Sequence, residues 1–202
     1  MNAKEFQQKT DVSRETLEKF ITYAEMLDKW QKSINLVSNT TLSDKWLRHF
    51  YDSAQLMEMI EPDENRKILD LGSGAGFPGL VISLMGAGEV HLVEGVGKKC
   101  SFMKQVVRAT GMNAIVHNER IEQMDPFTVD LITSRACADL EKLLDLTSAF
   151  IGEKTQCLFL KGEKADQEIS DAQKKWQFDV KKTASKSEES GIILELSNIK
   201  RK

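Results

Sequence analysis

The chain has few of the residues that build metal sites or covalent frameworks. Its 202 residues include three cysteines, at positions 100, 137 and 157, and three histidines, at 49, 91 and 117. The cysteines are odd in number, widely spaced and form no Cys-x-x-Cys pair, so neither a disulfide framework nor a zinc motif is indicated. The histidines are equally scattered, and no metal is expected. No apolar run approaches the length of a membrane span. The opening stretch, Met1-Asn-Ala-Lys-Glu-Phe-Gln-Gln-Lys9, is too polar for a signal peptide, which leaves a cytoplasmic protein as the expectation. An excess of basic charge is missing too. Twenty-eight Lys and Arg face 31 Asp and Glu, for a net charge of −3. There is thus no global attraction to nucleic acid, and an RNA substrate would need local basic patches. Two stretches qualify: residues 97–111, with Lys98, Lys99, Lys104, Arg108 and no acid, and the end Lys200-Arg-Lys202. For the latter, a solubilising tail is the simpler reading.

What is present is an alternation of apolar runs and helical spacing. Residues 13–32 place Leu17, Phe20, Ile21, Ala24 and Leu27 on one helical face, with Ser13 as cap. A second helix is predicted over residues 42–60, its apolar face Leu42, Trp46, Phe50, Ala54 and Met57, and Lys45, Arg48, His49 and Asp52 on the other side. His49 and Asp52, one turn apart, are placed to bond each other. From Arg66 onward, strand-like runs at 67–71, 90–94, 113–117, 129–134 and 156–161 alternate with helical stretches. This pattern predicts parallel strands joined by right-handed crossovers in a doubly wound α/β sheet. A polar helix near 163–174 and two last runs, 178–183 and 192–196, predict an antiparallel hairpin at the sheet edge. The expected division is a helical extension over residues 1–62 and an α/β domain over 63–202.

The most telling stretch is Asp70-Leu-Gly-Ser-Gly-Ala-Gly-Phe-Pro-Gly79, between the first strand and the next helix. Glycines 72, 74 and 76 allow a sharp turn and let a ligand lie against bare main chain. Some twenty residues on, the second strand ends in Glu94, where an acid accepts hydrogen bonds from ribose hydroxyls. A nucleoside-containing cofactor follows. Gly74-x-Gly76-x-x-Gly79 also fits a dinucleotide fingerprint, so a nicotinamide cofactor stays open. Asp70, however, would repel a pyrophosphate and suits the cationic, phosphate-free S-adenosylmethionine.

Several separated motifs carry a family resemblance over most of the chain. They are Asn35-Leu-Val-Ser38, Arg48-His-Phe-Tyr-Asp-Ser53, the glycine stretch ending Gly-Phe-Pro-Gly79, Leu92-Val-Glu94 with Lys98-Lys99, Arg120-Ile-Glu122, Ser134-Arg-Ala136 and Lys161-Gly162. In these the chain resembles the glucose-inhibited division protein B family, the bacterial small-subunit ribosomal RNA (guanine-N7)-methyltransferases. The resemblance implies a class I S-adenosylmethionine-dependent methyltransferase fold, Rossmann-like with a terminal antiparallel hairpin, and methyl transfer to N7 of one guanine in 16S ribosomal RNA. It implies cofactor contacts at Gly72, Phe77, Ile121, Glu122 and Arg135. General fold logic adds Asp70, Gly74 and Glu94. Arg48, His49, Asp52 and Lys161 are the candidates for RNA, and Arg135 and Lys161 for positioning the reactants. Arg135 has a simpler alternative, an ion pair with an acid such as Glu122, and Lys161 has one as a structural lysine. The partner expected is 16S RNA or the small ribosomal subunit, with no membrane, no metal and a monomeric enzyme.

The end of the fourth strand lacks the Asn/Asp-Pro-Pro-aromatic motif usual in enzymes that methylate exocyclic amines. Cys137 has no neighbouring proline of the kind found beside a cytosine-attacking cysteine. Guanine N7 has an in-plane lone pair and no proton to remove, so its methylation needs no general base. A small-molecule methyltransferase and a noncatalytic ribosome-binding module are the alternative readings.

Overall fold

The computed structural model describes residues 1–135 and 137–202. Its centre is a seven-stranded sheet: β1 (Lys67–Leu71), β2 (Glu89–Val93), β3 (Ala114–His117), β4 (Val129–Arg135), β5 (Ile151–Lys161), β6 (Trp176–Ala184) and β7 (Ile192–Arg201). The spatial order is β3-β2-β1-β4-β5-β7-β6. The first five strands run parallel, and β7 pairs antiparallel with both β5 and β6. The chain order reverses between β1 and β4, which opens a crevice beyond their carboxyl ends, where open α/β sheets bind ligands.

Helices cover both faces. Strand residues alternate in direction, so Ile68, Val90, Leu92, Leu131, Leu158 and Leu160 pack into one core and Leu69, Leu71, Val93, Ile132, Cys157 and Phe159 into the other. The second core is closed by α7 (Leu140–Thr147) and α8 (Ala165–Ala172). The first is closed by α5 (Gly79–Leu84), α6 (Gly97–Thr110) and the amino-terminal helices. Those begin with α1 (Ala3–Thr10), unannounced by the sequence pattern, whose Phe6 is fully buried. Then comes α2 (Arg14–Gln31), capped by Ser13 as expected. Phe6, Phe20, Tyr23, Leu27 and Phe50 share one core with Ile68, Leu80 and Phe102, so the apolar interior is continuous across residue 62.

The predicted helix over residues 42–60 is differently built. A short α3 (Asn39–Leu42) is followed by a π-helical stretch at Trp46–Tyr51, one α-turn, α4 (Asp52–Ala54), and a 3-10 stretch at Gln55–Met59. Such widened turns form where a side chain enters the helical ladder. Here the main-chain carbonyl of Arg48 accepts a hydrogen bond from Arg135 Nη1 at 3.0 Å.

Candidate active site

The crevice is a cleft of about 540 Å³. Its floor is the glycine turn, held from two sides. Gly72, Gly74 and Gly76 all have positive φ, at 66°, 58° and 94°, a conformation costly for other residues. A side chain at Gly72 would collide with Cys137, whereas one at Gly74 would meet only Gly72 O, at 3.8 Å, and would stand in open space. From below, the buried Tyr23 hydroxyl donates to Ala75 O at 2.6 Å. From the β2 side, the Glu94 carboxylate accepts from Gly74 N at 3.0 Å and from Val96 N at 2.8 Å. Each of its oxygens keeps lone-pair capacity for a further donor.

Asp70 lies elsewhere than the sequence reading placed it. It shares the face of Ile68, and its side chain is fully buried beneath the turn, not in the cleft. Oδ1 accepts from Thr133 on the adjoining strand at 2.8 Å. Oδ2 lies against the main chain of Gly79 but closes no hydrogen bond of good geometry. Burial pushes its carboxyl up to about 6, with bonds from Ser73 and Thr133 and contact with Gly79 opposing. Asp70 therefore supports the turn from below.

Arg135 stands two residues beyond Thr133 on the same face of β4, which directs it toward the amino-terminal helices. Its guanidinium lies 5.0 Å from the centre of the Phe77 ring. Nη1 donates to Arg48 O and to Asp52 Oδ2 at 3.1 Å, and Nη2 to His49 Nδ1 at 3.1 Å. Its acidic partner is therefore Asp52 and not Glu122. Because a guanidinium only donates, His49 Nδ1 must accept and the proton sits on Nε2, which faces Thr41 Oγ1 at 2.9 Å. Burial, then the charges of Arg135 and Arg48, hold the imidazole down to about 3, so it is neutral at physiological pH. His49 also stacks on Phe77, with ring centres 5.2 Å apart. The expected His49–Asp52 bond is replaced by these separate contacts with Arg135.

The remaining candidates are spread over several elements. Lys161 points to the opposite face of the sheet from Arg135, where its Nζ bridges Glu168 at 2.7 Å and donates to Ala138 O. It lines the cleft, but only 7% of its side chain is exposed and its ammonium is already engaged. Lys45 bridges Asp28 on α2 at 3.0 Å, and Arg48 bridges Glu188 at 2.7 Å, so both cations already have acidic partners. Ile121 is a core residue, and Glu122 is exposed on the short turn Ile121–Gln123. That turn lies beside the end of β2, with Arg120 close to Gly95. Ala136, part of the motif that carried the resemblance, lies outside the described residues. Burial raises the Cys137 thiol, and Asp70 and Glu94 raise it further, which keeps it protonated.

Two groups of lining residues escaped the sequence reading. Leu36, Val37 and Ser38, read there as a connection, form one wall; Gln31 holds it by accepting from Leu36 N and Val37 N and donating to Val37 O. Ser185, Glu188 and Gly191, in the turn between β6 and β7, form the opposite rim. The family motif at 35–38 was the available signal for the first group. Nothing in the sequence pattern signalled the second.

Comparison with known proteins settles the family. The model for "GidB: rRNA small subunit methyltransferase G" matches residues 16–193. The chain belongs to this family. It is 44% identical over 201 residues to a ribosomal RNA small subunit methyltransferase G of Rhodospirillum rubrum, covering 100% of both chains. It is 45% identical over 197 residues to that of Rhodospirillum centenum, covering 98% of this chain and 91% of the other. Among solved structures, a ribosomal protein L11 methylase from Lactobacillus delbrueckii subsp. bulgaricus superposes with a TM-score of 0.60 at 18% identity, covering 80% of each chain. A TehB-like SAM-dependent methyltransferase from Corynebacterium glutamicum gives 0.59 at 15%, covering 87% of this chain and 98% of the other. These likenesses establish the class I methyltransferase fold. Among the described residues, no helix is long and apolar enough to cross a membrane.

Proposed function

We propose that this protein transfers a methyl group from S-adenosylmethionine to N7 of a guanine in 16S ribosomal RNA. The observation that carries this reading is the pairing of an intact cofactor cradle with family membership over nearly the whole chain. The cradle fits the cofactor. Gly74 leaves open space where a side chain would stand, and Glu94 is fixed by two main-chain donors with acceptor capacity left for ribose hydroxyls. Gly72 and Phe77 belong to the same cradle, and the turn with Ile121 and Glu122 borders its adenine side. S-adenosylmethionine supplies an electrophilic methyl group on a sulfonium.

This chain's own residues need only align the acceptor. Guanine N7 attacks with a lone pair and loses no proton, so the neutral His49 and the protonated Cys137 are not required as bases. Alignment of nucleophile and methyl group is the main lever, worth effective molarities on the order of 10⁵–10⁸ M. Arg135 is suited to it, because guanidinium groups donate to O6 at the same guanine edge that presents N7. Arg48 and His49 line the cleft, and the partly exposed Arg48 meets RNA once it exchanges Glu188 for phosphate.

The test is methyl incorporation. The protein, labelled S-adenosylmethionine and small subunits or 16S RNA from cells lacking the modification should give labelled 16S RNA. Cofactor binding with label only in small molecules would favour a small-molecule methyltransferase, and binding with no transfer a ribosome-binding module.

A further inference from the structure

The turn between β6 and β7 reaches Arg135 through a chain of hydrogen bonds that the reaction itself does not explain. Ser187 is buried, and its Oγ donates to Asp52 Oδ1. Gln55, also buried, donates to Asp52 Oδ1 at 3.1 Å and to Ser185 Oγ at 3.1 Å, and its carbonyl accepts from Lys186 N at 2.8 Å. The other Asp52 oxygen, Oδ2, accepts from Arg135 Nη1. The torsion that orients a carboxylate is soft, so its plane is set by its partners. Here Ser187 and Gln55 hold one oxygen and thereby aim the other at Arg135.

We infer that Ser187 is a positioning residue for methyl transfer, acting through Asp52 to hold the Arg135 guanidinium over Phe77. The inference deepens the proposed function and rests on it for the identity of the reaction. Asp52 accordingly serves Arg135 and not the RNA directly. A carboxyl-terminal turn 135 residues away in sequence from Asp52 thus sets the geometry at the end of β4. The turn has other tethers, including Lys186 on Glu58 at 2.6 Å and Arg48 on Glu188. Removing the Ser187 hydroxyl therefore leaves the turn in place and leaves Oδ1 held by Gln55 alone, which loosens the carboxylate.

The experiment compares Ser187→Ala, Ser187→Thr and Lys186→Met in the full chain. The first readout is side-chain NMR of the Arg135 guanidinium, assigned by its loss in Arg135→Lys. In the unaltered protein three hydrogen bonds hold it, so rotation is slow and its Nη protons are protected from exchange. Ser187→Ala should speed guanidinium rotation measurably and lower kcat about tenfold, with KM for RNA and cofactor affinity within about twofold. Ser187→Thr, which keeps the hydroxyl, should recover both. Lys186→Met, which loosens the turn without touching Asp52, should change neither. An unchanged guanidinium signal in Ser187→Ala overturns the inference, whatever the activity. A freed guanidinium with unchanged kcat overturns it also. Absence of RNA methylation by the unaltered protein would instead refute the proposed function, while the NMR comparison still decides whether Ser187 holds Arg135.

Discussion

Asp70→Asn isolates the electrostatic tension under the glycine turn. Burial raises the Asp70 carboxyl from 3.8 to about 6. The folded protein thus binds a proton that the unfolded chain has released, and this added stability is fully present below the unfolded value and lost as pH rises through about 6. A displacement of about two units corresponds to about 3 kcal/mol lost once the group is ionised in both states. Between about pH 8 and pH 5 the unaltered protein should recover roughly 1–2 kcal/mol of it, because at pH 5 the folded carboxyl is mostly protonated and the unfolded one is not. Asparagine has no charge to bury and can keep the contact with Thr133. Its own packing cost is independent of pH, so the difference between the two pH profiles is the measured quantity. Urea unfolding at a series of pH values checks it: Asp70→Asn should lack that pH-dependent gain. For a chain of this size the effect corresponds to a few degrees in Tm. Parallel profiles for the two proteins would refute the argument and show that Asp70 Oδ2 is better solvated than its burial implies.

The other outcomes concern the cleft. Gly74→Val should abolish S-adenosylmethionine binding by calorimetry while the circular dichroism of the fold persists, since the side chain fills open space at a strain of about 1–2 kcal/mol. Arg135→Ala should reduce methyl transfer severely, by about 10²-fold, read as single-turnover rate. Arg48→Ala should weaken RNA methylation, read as a higher KM for RNA, and leave cofactor affinity nearly unchanged; equal loss of both would make Arg48 structural. Cys137→Ala should keep transfer within about twofold, because its thiol is protonated and no covalent intermediate is needed.

The sheet was legible because its signals are local. Alternation of apolar runs located every strand, and β1, Lys67–Leu71, agreed to the residue. The glycine turn was legible for the same reason, since positive φ at 72, 74 and 76 has to be written as glycine. What was lost depends on tertiary contact. The sequence offers Glu122 as one possible acid for Arg135, but strand period two directs Arg135 to the amino-terminal helices and to Asp52, 83 residues away. Lys161, on the adjoining strand, faces the opposite way and finds Glu168. The π-helical stretch at Trp46–Tyr51 answers to Arg135 and not to its own propensity, so helical spacing alone could not foresee it. Asp70 reads in the sequence as an acid facing the cofactor, but the face it shares with Ile68 puts it under the turn.

The measurement that bears most directly on the proposed reaction is the position of the methyl group. Methylation at N7 leaves guanine cationic, and its ring then opens under reduction and the chain breaks with aniline. Unmodified 16S RNA or small subunits, incubated with the protein and S-adenosylmethionine, should break at a single guanine, and only when both are present. Methyl incorporation without cleavage, or a product that mass spectrometry identifies as methylated cytosine or adenine, would contradict transfer to N7.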